Sequence, residues 1–82
     1  MVSGGTKLNL CGPQVAQFRR TKGEGGKLLT QAVLSEKVSK LGVKLDRAAI
    51  AKIENNLRAV TDVELVALAK ALEVTVNQLL GL

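Results

Sequence analysis

The sequence has no histidine, tryptophan or tyrosine, and only one cysteine, one proline and one phenylalanine among its 82 residues. Each shortage excludes something. With no histidine and one thiol, Cys11, there is neither a ligand set for a structural zinc nor a partner for an internal disulfide. No metal and no cofactor is therefore expected, and a reducing compartment suits the chain. The imidazole that commonly serves as general base is missing, the carboxylates are scattered, and Cys11 has no base beside it, so an enzyme is not expected. No run approaches the roughly 18 consecutive apolar residues of a membrane span, and the N-terminus carries no long apolar core of a signal peptide. The expectation is a soluble, cytoplasmic protein with no membrane partner.

What is present points to helices. The composition is 46% hydrophobic but 1% aromatic, so the core is made of Leu, Val, Ile and Ala, with Phe18 as its one large ring. Cores of this kind are usually helical bundles. A chain of this length makes one domain, near the size at which only about 60% of the unfolded surface is buried. Residues 1–11, MVSGGTKLNLC, show no sustained period and read as a flexible arm in which Lys7 could touch phosphate, leaving 12–82 as the folded domain.

Twelve basic side chains face seven acidic ones, for a net charge of +5. The excess is uneven: residues 1–60 hold eleven basic and four acidic groups, whereas residues 61–82 hold one and three. A positive field over the first 60 residues suits a polyanion, because each Lys or Arg that neutralises a phosphate releases condensed counterions. Basic charge is also common in small domains for solubility alone.

Residues 28–58 organise the rest. Leu34, Val38 and Leu41 recur at i, i+4, i+7, and Ile50, Ile53 and Leu57 repeat a similar stripe, so two short amphipathic helices flank Gly42. Thr30 and Asp46 stand where each helix needs an N-cap. Farther on, Thr61-Asp-Val-Glu64 has the form of a capping box, and Thr75 caps a last short helix. Pro13 opens the first helix. The all-α prediction is five helices at about 13–22, 30–41, 46–55, 61–72 and 75–80. The Gly-rich loop 23–27 is not a phosphate loop, since Leu28 stands where Ser or Thr is required after Lys27 and no strand precedes it.

Two runs, L-T-Q-x-x-L-S-E-K-V at 29–38 and D-R-x-x-I-x-K-I-E-N at 46–55, resemble the Xre family of helix-turn-helix DNA-binding domains, typified by the phage lambda repressor and Cro proteins. The resemblance extends from about residue 13 to residue 80. This chain departs from it by roughly five extra residues around 39–44, where the family has a compact turn. The expected consequence is a longer first helix and an enlarged turn.

A helix-turn-helix implies that residues 46–55 form the recognition helix, whose N-terminal side chains approach base edges in the major groove. Here those are Arg47, Ala48 and Ala49, with Lys52 one turn on. Arg47 could bond guanine O6 and N7 together, and Ala48 could at most pack on a thymine methyl. A solvated helix face is the plainer alternative. The resemblance further implies phosphate contacts from Thr30, Gln31, Lys44, Asn55, Asn56 and Arg58. Asn56 also suits the left-handed C′ position that ends a helix. The family often pairs a base at the position of Arg19 with an acid at that of Glu54; the alternative is two separate surface charges.

The last two helices are more apolar than one buried face requires. Val66, Val76, Leu79, Leu80 and Leu82 are therefore candidates for a homodimer interface, or else they cover the first helix within one chain. The function implied is sequence-specific binding of double-stranded DNA, on a palindromic operator, by a transcriptional repressor. The alternative is a protein-protein interaction module, antitoxin-like or regulatory, that uses the apolar C-terminal surface.

Overall fold

The computed structural model describes residues 8–21 and 29–82, and among these the architecture is all-helical. Five helices follow in order: α1 (Gly12–Thr21), α2 (Gln31–Lys40), α3 (Arg47–Glu54), α4 (Asp62–Leu72) and α5 (Val76–Leu80). The glycine-rich stretch 23–27 and Lys7 lie outside the described residues.

Local chemistry sets the ends. Thr30, Asp46, Thr61 and Thr75 each occupy an extended N-cap and accept a hydrogen bond from the backbone N–H three residues on. Glu64 and Gln78 return the bond to Thr61 N and Thr75 N, completing two capping boxes. The first helix starts at Gly12, so Pro13 falls one position later than expected; its missing N–H costs nothing there because the first turn has no intrahelical acceptors.

The C-termini of α2, α3, α4 and α5 share one device. Gly42, Asn56, Glu73 and Gly81 all have positive φ. After α3, Asn56 N–H donates to Ile53 O at 3.0 Å and Leu57 N–H to Lys52 O at 2.7 Å, the paired closure of a Schellman motif. Gly42 and Val43 close α2 in the same way on Ser39 O and Val38 O. Both closures turn a stripe residue outward. Leu41 and Leu57, expected inside, are 46% and 67% exposed, because each stands at or beyond the point where its helix stops turning.

The core is one cluster. Val15, Leu34, Val38, Leu45, Ile50, Ile53, Leu68, Leu72 and Leu79 are fully or almost fully buried, and Phe18 packs on them from the side. α1 lies on α3, α4 and α5; α2 lies on α3 and α4. The α2–α3 connection is a turn of residues 41–46 that keeps both helices in contact. Ser35 Oγ donates to Leu45 O at 2.7 Å, and Leu45 is buried, so the turn is stapled from both sides.

Residues 8–11 pack against the helices. Cys11 is 1% exposed, and its carbonyl accepts from Val15 N–H at 2.8 Å. Asn56 Oδ1 accepts from the N–H groups of both Leu8 and Asn9, at 2.9 and 3.0 Å. The Asn9 amide donates to Ile53 O and Arg58 O, while its oxygen accepts from Gly12 N–H. Residues 8–11 are thus strapped to the C-terminal end of α3.

Candidate nucleic-acid interface

The α2–turn–α3 unit presents one side of α3 to solvent. Ile50 and Ile53 are fully buried and fix its rotation, so at 100° per residue the outward line runs through Ala48, Ala51 and Asn55, with Arg47 and Lys52 on its two flanks. Arg47, Ala48, Lys52 and Asn55 are exposed. Ala49 is not on this line; it is half-buried and packs against the core, which removes it from the expected base-reading set. Ala51, also half-buried, lies on the line instead. Its signal was available in the sequence, since it lies three residues after Ala48 and four before Asn55.

The start of α2 meets this face. Gln31, Arg47, Ala48 and Ala51 line one hollow, and Arg47 borders a second with Thr30, Gln31 and Arg19. Thr30 Oγ1 accepts from Val33 N–H at 3.1 Å. A helix N-terminus carries unpaired N–H groups and a partial positive charge, so an anion is favoured there.

Behind the face lies a polar clamp. Arg19 Nε and Nη2 donate to the two carboxylate oxygens of Glu54 at 2.7 and 3.1 Å, and Arg19 Nη1 donates to Leu29 O at 3.0 Å. Gln31 Nε2 donates to Glu54 Oε1 at 3.0 Å. The Arg19 and Glu54 side chains are 12% and 7% exposed, so the pair is largely desolvated. It ties α1, α2 and the last turn of α3 together. Gln31 is thereby held with its amide along α3.

Two expected phosphate contacts are engaged within the chain. Asn56 carries φ 61°, and its side-chain oxygen accepts from the strap, which fixes the orientation of its carboxamide. Arg58 donates to both carboxylate oxygens of Glu64, at 2.8 and 2.9 Å, and to Ala59 O. The Arg58 hydrogen bonds hold the Glu64 carboxyl below the usual carboxylate range, with Thr61 N–H assisting, and the same bonds raise Arg58. Asn55 Nδ2 donates to Ala51 O at 2.9 Å while the residue stays exposed. Lys44, in the turn, is exposed. The ion pairs among the described residues are Arg19–Glu54 and Arg58–Glu64, so Lys44, Arg47 and Lys52 keep their charge unneutralised within this set.

The dimer candidates divide. Leu79 is fully buried and cannot reach a partner, because it closes the core beneath α5. Val76 is packed against the core and Leu80 is half-buried. Val66 and Leu82 are exposed. The Asn9–Asn56 strap and the Arg58–Glu64 pair lie outside what the sequence motifs predict. The first joins residues 47 apart and has no local signature; the second could have been suspected from an Arg placed shortly before a capping box.

Among the described residues, five helices with a capped α2 packed across α3 have the arrangement of a helix-turn-helix bundle. A family model described as helix-turn-helix matches residues 27–79, and the chain belongs to that family, of the Xre, lambda-repressor-like type. No curated protein and no solved structure matches the chain. Among the described residues, no helix is long and apolar enough to cross a membrane.

Proposed function

We propose that the chain binds double-stranded DNA sequence-specifically in the cytoplasm and represses transcription by occupying an operator. The observation that carries this reading is the open face of α3, with Arg47 and Lys52 flanking small Ala48 and Ala51 over a fully buried Ile50–Ile53 footing. Small residues at the centre let the helix axis come close to base edges, and a planar guanidinium at its N-terminal end suits guanine O6 and N7.

In this reading Arg47 reads a guanine and Ala48 and Ala51 pack on thymine methyls. Lys52 takes a base or a phosphate. Thr30, Gln31, Lys44 and Asn55 position the duplex through its backbone, and such contacts carry affinity rather than sequence choice. Arg58 joins them only by exchanging Glu64 for a phosphate, and Asn56 only through its side-chain amide N–H groups, since its backbone N–H is given to Ile53 O. One recognition helix reads few base pairs, so two copies on a palindromic site about 34–36 Å from half-site to half-site complete the reading.

Selection from a random duplex pool, followed by titration at several salt concentrations, tests it. An enriched palindrome is expected, with log affinity falling against log salt by about 0.9 per phosphate contacted. If no duplex is enriched and no salt dependence is found, a protein-protein interaction module becomes the better account.

A further inference from the structure

α4 is apolar on more sides than the core uses. Ala67, Leu68, Ala69 and Leu72 are buried, yet Val63 and Val66 are 62% and 43% exposed. They lie beside the exposed end of α2: Leu41, Val43, Val63 and Val66 line an open hollow of about 400 Å³, with Asp62 and Lys70 at its rim. No described residue covers it. Contiguous exposed apolar side chains rimmed by charge mark an interaction surface rather than a random surface.

The charges identify the occupant. Asp62, Val66 and Lys70 are four residues apart in turn, so they form one ridge along the outer side of α4. Asp62 and Lys70 are about 12 Å apart along the helix, too far to pair within one chain. They are opposite in sign and equidistant from Val66. A ridge with that pattern is complementary to itself when reversed: laid antiparallel on a second copy, Val66 meets Val66, and Asp62 meets Lys70 of the partner subunit twice over. Two-fold interfaces require this self-complementarity, and an unrelated partner does not.

We propose that the Asp62–Val66–Lys70 ridge is a two-fold homodimer interface in which α4 packs antiparallel on α4 of a second copy of this chain. Leu41 and Val63 flank the contact. An 11-residue helix spans about 16 Å, so the area covered falls in the small, transient class, and the dimer is weak in free solution and reinforced on a two-half-site duplex. This inference deepens the two-copy part of the proposed function but does not need DNA binding to be correct.

Sedimentation equilibrium of the full chain without DNA, from about 10 µM to about 1 mM, tests it. The chain is expected to pass from monomer to dimer, and Val66→Glu to weaken association by about tenfold or more. Asp62→Lys and Lys70→Asp each oppose like charges at both ends and are expected to lose association. An equimolar mixture of those two variants restores both pairs and is expected to dimerise. Val66 and Lys70 are exposed away from the helix start, so far-UV helicity should be unchanged in Val66→Glu and Lys70→Asp, whereas Asp62 lies in the first turn of α4 with Oδ1 accepting from Val63 N–H, so the helicity of Asp62→Lys is measured beside its association. A wild-type chain that stays monomeric to about 1 mM overturns the proposal. So does association that Val66→Glu leaves unchanged, or a mixture that does not pair. Since no duplex is present, failure here leaves the DNA reading standing, and failure of the duplex selection leaves this interface standing.

Discussion

Glu54 receives three side-chain donors from two different helices, which makes it the residue on which the pose of α3 turns. Its replacement leaves the Arg19 guanidinium, 12% exposed, without a counter-charge. Glu54→Ala is therefore expected to lower unfolding free energy by about 1–3 kcal/mol in urea titration, and Arg19→Ala/Glu54→Ala by less than the two single losses together. Glu64 acts differently. Its carboxyl is held low by Arg58, so its contribution is fully present above the unfolded carboxylate pKa of about 4.3 and is lost as pH falls through the lower folded value. Wild type should be more stable than Glu64→Gln at pH 7, with the difference shrinking below about pH 4; an unchanging difference contradicts the pairing. Arg58 stays charged throughout and adds no pH dependence of its own.

At the scale of elements, the caps were legible and the stops were less so. Thr30, Asp46, Thr61 and Thr75 announce helix starts because capping is decided within four residues. Periodicity, by contrast, carries no signal for where a stripe ends, which is why the stripe predicts Leu41 and Leu57 in the core and the structure exposes both. The strap was illegible for a stronger reason: Asn9 and Asn56 meet only after the whole bundle has formed. Two left-handed stops should then respond in opposite ways to glycine. Glu73, at φ 58°, has no side-chain hydrogen bond among the described residues, so Glu73→Gly is expected to raise stability by about 0.5–1 kcal/mol. Asn56→Gly relieves similar strain but removes the acceptor for Leu8 and Asn9, and thermal melts should show it neutral or destabilising. Gly12 is constrained from the other side. A Cβ there would strike Ile53 O at the end of α3, so Gly12→Ala is expected to push α1 off α3 and to cost about 1–3 kcal/mol.

The whole molecule divides into a basic half carrying the open α3 face and an acidic last segment carrying the α4 ridge. The order of helices and the place of α3 after the turn followed from composition, caps and two motif runs, because these depend on local pattern. The division of labour among polar residues around the face did not, since Asn56 and Gln31 have partners brought from elsewhere in the chain, while Arg58 is taken by Glu64 six residues on. The account rests on Arg47 projecting from a helix whose rotation is fixed by Ile50 and Ile53. The most direct measurement is duplex selection with wild type and Arg47→Ala side by side. The account predicts that the wild-type motif contains a guanine whose preference relaxes in the variant by about 5- to 150-fold, equal to about 1–3 kcal/mol, while the other positions hold. An identical motif from both proteins would contradict it.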